Sequence, residues 1–350
     1  IKRLDQINLE WLLDAYHKTP VDKKFFGNSF TIHAGTQLLQ QQMESGLSAS
    51  EIRESWGTGI ENFKKIREKY LLYPDYNTDK PDYNPNNRVG LKPAQIRNRP
   101  VVDMFEPGST LKPFTVAAAL EAGKITPSTV ISTAPGSLKV GGRTIHDAHP
   151  QGAITVAQVI QKSSNVGTAK IALSLPAEAM WDMFSDVGFG ATPQSGLPGE
   201  SSGKVRPFKT WKPIEQATMS YGHGISVSLL QLARAYVAFA SGGEIRPITM
   251  LKSDAAVEGE RIISERTARA ITAMLEMAVQ PGGTAPKAQV SGYRVAGKTG
   301  TAHKQIGSRY ASDVYVSSFV GFAPVSAPRF VIAVMIDEPS AGQYYGGTVA

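Results

Sequence analysis

Cysteine is absent from this 350-residue chain, which excludes disulfides, thiolate catalysis and cysteine-ligated metals but leaves the redox compartment open. No apolar run approaches the ~20 residues that a bilayer-crossing helix needs, so no membrane-spanning helix is expected. The six histidines, His17, His33, His146, His149, His223 and His303, form no metal-ligand spacing of the HExxH type. Their nearest approach, "HDAH" at His146 and His149, reads as a surface turn. RNP, zinc-finger and Gly-x-Gly-x-x-Gly signatures are also missing, which speaks against nucleic acid as a partner. Neither a metal nor an organic cofactor is expected.

What remains is ordinary in bulk and uneven in detail. The chain is 41% hydrophobic and 19% charged, with a net charge of +7. Residues 1–76 hold ten basic and ten acidic side chains, so the whole excess lies in 77–350. A basic surface of this size suits an anionic envelope or an acidic substrate, or is simply a mildly basic surface. The chain opens on "IKRLDQINLEWLLDAY", with no methionine and no signal peptide, and reads as a fragment or a processed chain.

Residues 1–76 are expected to be helical. "LEWLLDAYHK" and "AGTQLLQQQMESG" space apolar residues as a helix does, with Gly46 as a C-cap, and Ser48 with Glu51 forms a capping-box pattern. Ile60, Phe63, Ile66 and Tyr70 share one face of a further helix. Residues 77–100, rich in Pro, Asn and Asp, read as a junction, and 101–350 as a second domain. There "TLKPFTVAAALEAG", "TVAQVIQKSSNVGTAKIAL", "SLLQLARAYVAFASGG" and "SERTARAITAMLEMAV" are helical, the second with a polar break. "YRVAGKTGTA", "VYVSSFVGFAP" and "RFVIAVMID" follow as strands. Helices followed by consecutive strands predict an α+β fold with an antiparallel sheet.

Within "FEPGSTLKPF", Ser109 and Lys112 stand three apart at a helix start and therefore share a face. Alone, the pair equally fits a helix cap beside a solvated lysine, and Ser201–Lys204 repeats the spacing in a Gly-rich segment with nothing to recommend it. Two further stretches change the balance. "KSSNVG" supplies Ser163-Ser164-Asn165 and "GKTGTA" supplies Lys298-Thr299-Gly300-Thr301. Each is weak by itself, but SxxK, SxN and KTG in this order form the signature set of penicillin-binding proteins and serine β-lactamases.

From about Tyr83 onward the chain resembles the transpeptidase domain of class B penicillin-binding proteins of the division-specific type. "YNPNNRVGLKP", "FEPGSTLKPF", "KSSNVG", "YGHGISVS", "RVAGKTGTA" and "YYGG" carry the resemblance. It implies a penicillin-binding, β-lactamase-like fold and a serine D,D-transpeptidase that cross-links peptidoglycan stem peptides ending in D-Ala-D-Ala and is acylated by β-lactams. Ser109 would be the nucleophile and Lys112 its base, given burial and a second cation to lower its pKa. Lys298 would be that cation, Ser163 a proton relay, and Asn165 a hold on Lys112 and a substrate amide. The backbone N–H groups of Ser109 and Thr301 would form the oxyanion hole. Thr299, Thr301 and Lys298 would grip the substrate carboxylate, while Gly297 and Gly300 would let a peptide approach the strand. Tyr221 and Gly222, and Tyr345, Gly346 and Gly347, either line the cleft or form plain turns.

The same resemblance implies an extracytoplasmic site of action, at the periplasmic face of the inner membrane, with glycosyltransferase and division proteins as partners of the full-length protein. Two departures qualify it. Such proteins place a pair of sheet strands, and before them a module with a membrane anchor, ahead of "YNPNN", and they continue beyond "YYGGTVA" into a packed helix. Without these pieces, an unpaired sheet edge and uncovered apolar surface are expected. Residues 1–76 instead resemble the C-terminal end of NamZ-type exo-N-acetylmuramidases, as a helical segment without chemistry in what would be a hybrid chain. Two other readings stay open: a D,D-carboxypeptidase or serine β-lactamase, for which Glu200 is no obvious water-activating base, and a β-lactam-binding scaffold without turnover.

Overall fold

Two compact units, Ile1–Asn77 and Thr78–Ala350, divide the chain. The computed structural model describes residues 9–27, 30, 34, 36–68, 97–250, 257–307, 309–340 and 342–350. The "YNPNN" stretch, Tyr70 and most of the 77–100 junction lie outside the described residues.

The first unit contains helices α1 (Glu10–His17), α2 (Leu38–Glu44) and α3 (Ala49–Glu68). Gly46 follows α2 in the left-handed region, φ +75°, and its N–H donates to Met43 O at 3.0 Å, closing the helix where only glycine is unstrained. At the start of α3 the capping box is complete. Glu51 N–H donates to Ser48 Oγ at 3.3 Å, and Ser48 N–H donates to Glu51 Oε2 at 2.8 Å. Leu13, Phe26, Met43 and Ile52 form this unit's own buried cluster.

The second unit is α+β. Its helices are α4 (Arg99–Val102), α5 (Lys112–Glu121), α6 (Val156–Lys162), α7 (Asn165–Leu173), α8 (Ala177–Asp186), α9 (Pro213–Met219), α10 (Leu229–Ala240), α11 (Glu265–Val279) and α12 (Gly346–Val349). Four small antiparallel ribbons pair β1 (Met104–Phe105) with β6 (Val227–Ser228), β2 (Val130–Ser132) with β5 (Ala153–Thr155), β3 (Ser137–Val140) with β4 (Arg143–His146), and β7 (Glu244–Ile245) with β8 (Glu260–Arg261). The main sheet is antiparallel in the order β11 (Phe330–Asp337), β10 (Arg309–Ala323), β9 (Ala296–Ile306). Helices α8 and α9 and the ribbons carried no clear sequence signal.

Helix α5 is the axis of this unit, buried from Lys112 to Leu120. Its run of alanines admits close neighbours, and Phe114 meets Tyr236 and Phe239 of α10 at ring distances of 5.4 and 4.8 Å. Burial of Phe114 alone contributes on the order of 2 kcal/mol. Tyr236 also donates its hydroxyl to Thr110 O at 2.8 Å, which pins the turn ahead of α5 to this core. On the far side of the sheet, the outer edge of β11 has no strand partner among the described residues. Phe330 and Ile332 there are 67% and 57% exposed.

Candidate active site

The tight turn Gly108–Leu111 delivers Ser109 and leads directly into α5. Glycines hold it on two sides. Gly108 N–H donates to Gly222 O at 3.3 Å, and a Cβ on Gly222 (φ +89°) would stand 2.2 Å from Gly108 O. From β9, a Cβ on Gly300 would stand 2.7 Å from Pro107 O and 3.1 Å from Thr110 Cγ2. These glycines therefore set the distance between the turn, the "YGHG" segment and the strand. Gly297 likewise has no room for a side chain, because the Phe319 ring would lie 2.4 Å from it. At both positions the protein's own atoms occupy the place that a side chain would take. Gly222 packs against the backbone of the turn and is not among the cleft-lining residues.

Lys112 and Lys298 are both fully buried and converge on one residue. Lys112 Nζ donates to Ser163 O at 2.5 Å and to Ser163 Oγ at 3.0 Å. Lys298 Nζ reaches the same Oγ at 2.9 Å and also donates to Thr299 O at 3.1 Å. Ser163 occupies the polar break between α6 and α7 at φ +60°, a left-handed conformation that costs a non-glycine residue about 1 kcal/mol. That conformation lets its carbonyl and its hydroxyl both meet Lys112.

Burial pushes the pKa of Lys112 well down, with the Lys298 charge adding to the effect and the Asp147 charge opposing it. Lys298 is lowered by burial to about 7. Two buried amines within reach of one hydroxyl cannot both remain charged cheaply, so burial and the neighbouring charge favour the neutral form of Lys112.

The SxN loop is fixed from a stretch that looked like a surface turn. Asp147 Oδ2 accepts from Ser164 Oγ at 2.7 Å and Oδ1 from Val166 N–H at 2.9 Å, capping α7. Asn165 Nδ2 donates to His146 O at 2.9 Å, and no hydrogen bond joins Asn165 to Lys112 among the described residues. "HDAH" is thus the support of the loop, and Asp147 and His149 are part of the cleft wall.

The cleft has a volume of about 550 Å³. Ser109, Ser163, Asn165, Tyr221, Thr299, Thr301, Tyr345 and Gly346 line it, and so does Gly347. "YYGG" is therefore a wall of the site. Gly346 N–H donates to Thr301 Oγ1 at 2.9 Å, and a Cβ there would stand 2.3 Å from Gly300 O. Thr284, His303, Tyr315 and Tyr344 also line the cleft and had no signal in the sequence beyond Tyr344 adjoining Tyr345. Thr284 Oγ1 accepts from Thr299 Oγ1 at 2.8 Å. His303, Tyr315, Tyr344 and Tyr345 form a continuous aromatic wall, with successive ring distances of 4.6, 4.0 and 4.5 Å.

Such a site can run acyl transfer: a serine on a tight turn at the cleft, and two buried amines in reach of one relay hydroxyl, with burial favouring the neutral form of Lys112.

Comparison with known proteins agrees with the geometry. Residues 77–350 match the family model of the penicillin-binding protein transpeptidase domain, and residues 2–73 match that of the C-terminal part of exo-β-N-acetylmuramidase NamZ. The chain is 45% identical over 270 residues to the probable peptidoglycan D,D-transpeptidase PenA of Neisseria gonorrhoeae, covering 77% of this chain and 46% of the relative. It is 41% identical over 297 residues to the peptidoglycan D,D-transpeptidase FtsI of Escherichia coli K12, covering 82% and 50%. The chain spans about half the length of these curated relatives. Among solved structures, the apo transpeptidase domain of Burkholderia pseudomallei penicillin-binding protein 3 is similar, with a TM-score of 0.70 and 50% identity, over 73% of this chain and 78% of that one.

Proposed function

We propose, because this chain belongs to the class B penicillin-binding protein transpeptidase family, that its second unit is a serine D,D-transpeptidase of peptidoglycan cross-linking. The observation that carries the proposal is the Ser163 hydroxyl, shared by two buried lysines, 2.9 and 3.0 Å from their amines, beside a cleft that presents Ser109.

The substrate is a stem peptide ending in D-Ala-D-Ala. Ser109 Oγ attacks the carbonyl of the penultimate residue and passes its proton to the neutral Lys112 amine. The tetrahedral oxyanion rests on the backbone N–H groups of Ser109 and Thr301. The proton moves through Ser163 to the departing amine, the C–N bond breaks, and terminal D-Ala leaves an ester on Ser109. An amine of a neighbouring stem then repeats the steps in reverse and takes the acyl group. Lys298, Thr299 and Thr301 bind the substrate carboxylate, Asn165 meets a backbone amide, and Tyr221, Tyr345 and Gly346 shape the walls. A β-lactam mimics the terminal dipeptide and stays on Ser109.

Hydrolytic readings fit less well. A β-lactamase needs a carboxylate or an equivalent base free to activate water. Glu200 accepts from Ser195 Oγ and Leu197 N–H and lies outside the cleft. Asp147 does line the cleft, but both its oxygens are engaged in holding Ser164 and Val166. Deacylation by water is therefore expected to be slow. The work takes place outside the cytoplasmic membrane, at the periplasmic face, where a glycosyltransferase and division proteins would be partners of the full-length protein.

The test is intact mass after incubation with a fluorescent penicillin, run beside Ser109→Ala. One adduct per chain, lost in Ser109→Ala, is expected. Two folded proteins that both stay unlabelled would overturn the reading in favour of a non-catalytic scaffold.

A further inference from the structure

Glu106 lies outside the three motifs and outside the roles assigned above, yet it precedes the Pro107-Gly108-Ser109 turn and its side chain is only 10% exposed. Two separate segments converge on its carboxylate. Oε1 accepts from Gly224 N–H at 2.8 Å and from Tyr310 Oη at 2.9 Å. Oε2 has no hydrogen bond in this arrangement and faces His223 Nδ1 at 3.2 Å. A buried carboxylate is costly unless donors meet it, and here the donors come from the "YGHG" segment and from the tip of the β9–β10 hairpin.

Tyr310 does not reach Glu106 by following the regular ladder. His303 pairs with Tyr315, but Gln305 pairs with Tyr310, so the register shifts and β10 carries extra residues at that point. Such a bulge bends a strand and re-aims what lies beyond it. Beyond it Tyr310 lies over His223, ring to ring at 5.9 Å and edge-on, and His223 in turn meets Tyr221 of the cleft wall at 5.4 Å. The phenol of Tyr310 is held far above its ordinary pKa by burial and by the Glu106 charge, so it remains a donor. Its residue is nonetheless 51% exposed, as a hairpin tip would be.

We infer that Glu106 is a positioning residue that latches the β9–β10 hairpin tip, through Tyr310, to the turn carrying Ser109. Seating of the tip and orientation of the nucleophile are then coupled, because the carboxylate holds Tyr310 and Gly224 together and the segment of Gly224 in turn accepts from Gly108 N–H through Gly222 O. The groups facing this carboxylate from every packed element are Gly224, His223 and Tyr310; Glu106 touches neither Lys112 nor Lys298 among the described contacts.

The inference rests on the acyl-transfer reading but has a readout of its own. Tyr310→Phe removes one hydroxyl from an exposed ring, and Glu106→Gln keeps an acceptor oxygen while Glu106→Ala removes it. Hydrogen exchange of the Gly108–Leu111 turn, measured on the unlabelled proteins, is expected to speed up about tenfold in Tyr310→Phe and Glu106→Ala and to stay near wild type in Glu106→Gln. In saturation kinetics with a fluorescent penicillin, Glu106→Ala lowers the limiting acylation rate about tenfold or more while the half-saturating concentration changes little. Adding Tyr310→Phe to Glu106→Ala brings no further loss. Wild-type exchange in the turn of Tyr310→Phe, or losses that multiply in the double variant, would overturn the latch. A wild-type chain that takes no label overturns the acyl-transfer reading instead, and the exchange result then decides the latch alone.

Discussion

Gly222→Ala separates the positioning of Ser109 from the stability of the fold around it. An added Cβ would stand 2.2 Å from Gly108 O, 2.4 Å from Gly108 N and 2.6 Å from Gly108 Cα. Carbon contacts below 3.0 Å do not persist in folded proteins, so the two segments must part by about 0.8 Å, the difference between 3.0 and 2.2 Å. Both partners are backbone, so neither can swing aside as a long side chain would. Gly108 adjoins Ser109, and a shift near 1 Å at a reacting group costs on the order of a hundredfold in rate. The alanine also inherits φ +89°, which adds about 1–2 kcal/mol of strain.

Strain alone is matched by a control. Gly142, in the β3–β4 turn, has φ +81° and nothing within 4 Å of the position its Cβ would take. Gly142→Ala therefore keeps the conformational cost without the collision. Thermal unfolding and the second-order rate constant of labelling by a fluorescent penicillin would be measured on both. Each variant should lose on the order of 2–6 °C in Tm, but only Gly222→Ala should lose labelling, by roughly a hundredfold. Equal labelling of the two variants would refute the claim that the glycine contact sets the nucleophile.

Other expectations follow from the buried amines and from Asp147 beside them. Lys298→Met removes the cation that helps to depress Lys112, so the acid limb of the labelling rate should move to higher pH, with a rate loss of about 10²–10⁴-fold near neutrality. Asp147→Asn removes a charge that holds the Lys112 pKa up, so the same limb should move to lower pH, while the amide oxygen can still accept from Val166 N–H and stability should change little. A limb that moves the same way in both variants would refute the assignment of that limb to Lys112. Lys298 is lowered to about 7 by burial, so between that pH and the ordinary lysine range the unfolded chain binds the extra proton and stability rises with pH. Denaturant unfolding at pH 7 and pH 10 should show this gain in wild type and a smaller one in Lys298→Met.

The parts of the site that were legible in the sequence are those whose geometry is local. Ser109 and Lys112 sit on one turn, Ser163 and Asn165 on one loop, and the helices around them announced themselves by period and cap. Local pattern alone did not show which pieces meet; for the two lysines and Ser163 that came from the order of the motifs and the family resemblance. The Lys112–Ser163 contact spans 51 positions and Lys298–Ser163 spans 135. Asp147 holds the SxN loop only through such contacts, so in the sequence it read as part of a surface turn.

The glycines show most plainly why sequence runs out where it does. A glycine beside a reactive strand reports that something comes close, and the first assumption is that this something is the ligand. At Gly222, Gly297, Gly300 and Gly346 it is the protein: Gly108 backbone, the Phe319 ring, Pro107 O and Ser318 Oγ, and Gly300 O. The same absence of a side chain serves either purpose, and only the partner distinguishes them. With Gly222 and Gly300 meeting the turn from two sides, and Gly346 closing on Gly300, the nucleophile is held by contacts between main chains. Such contacts have no rotamers to adjust, which suits a serine that must meet its base and its oxyanion donors in one geometry. It also follows that substitutions here should lower acylation more than they lower stability, the reverse of what a simple packing role would give.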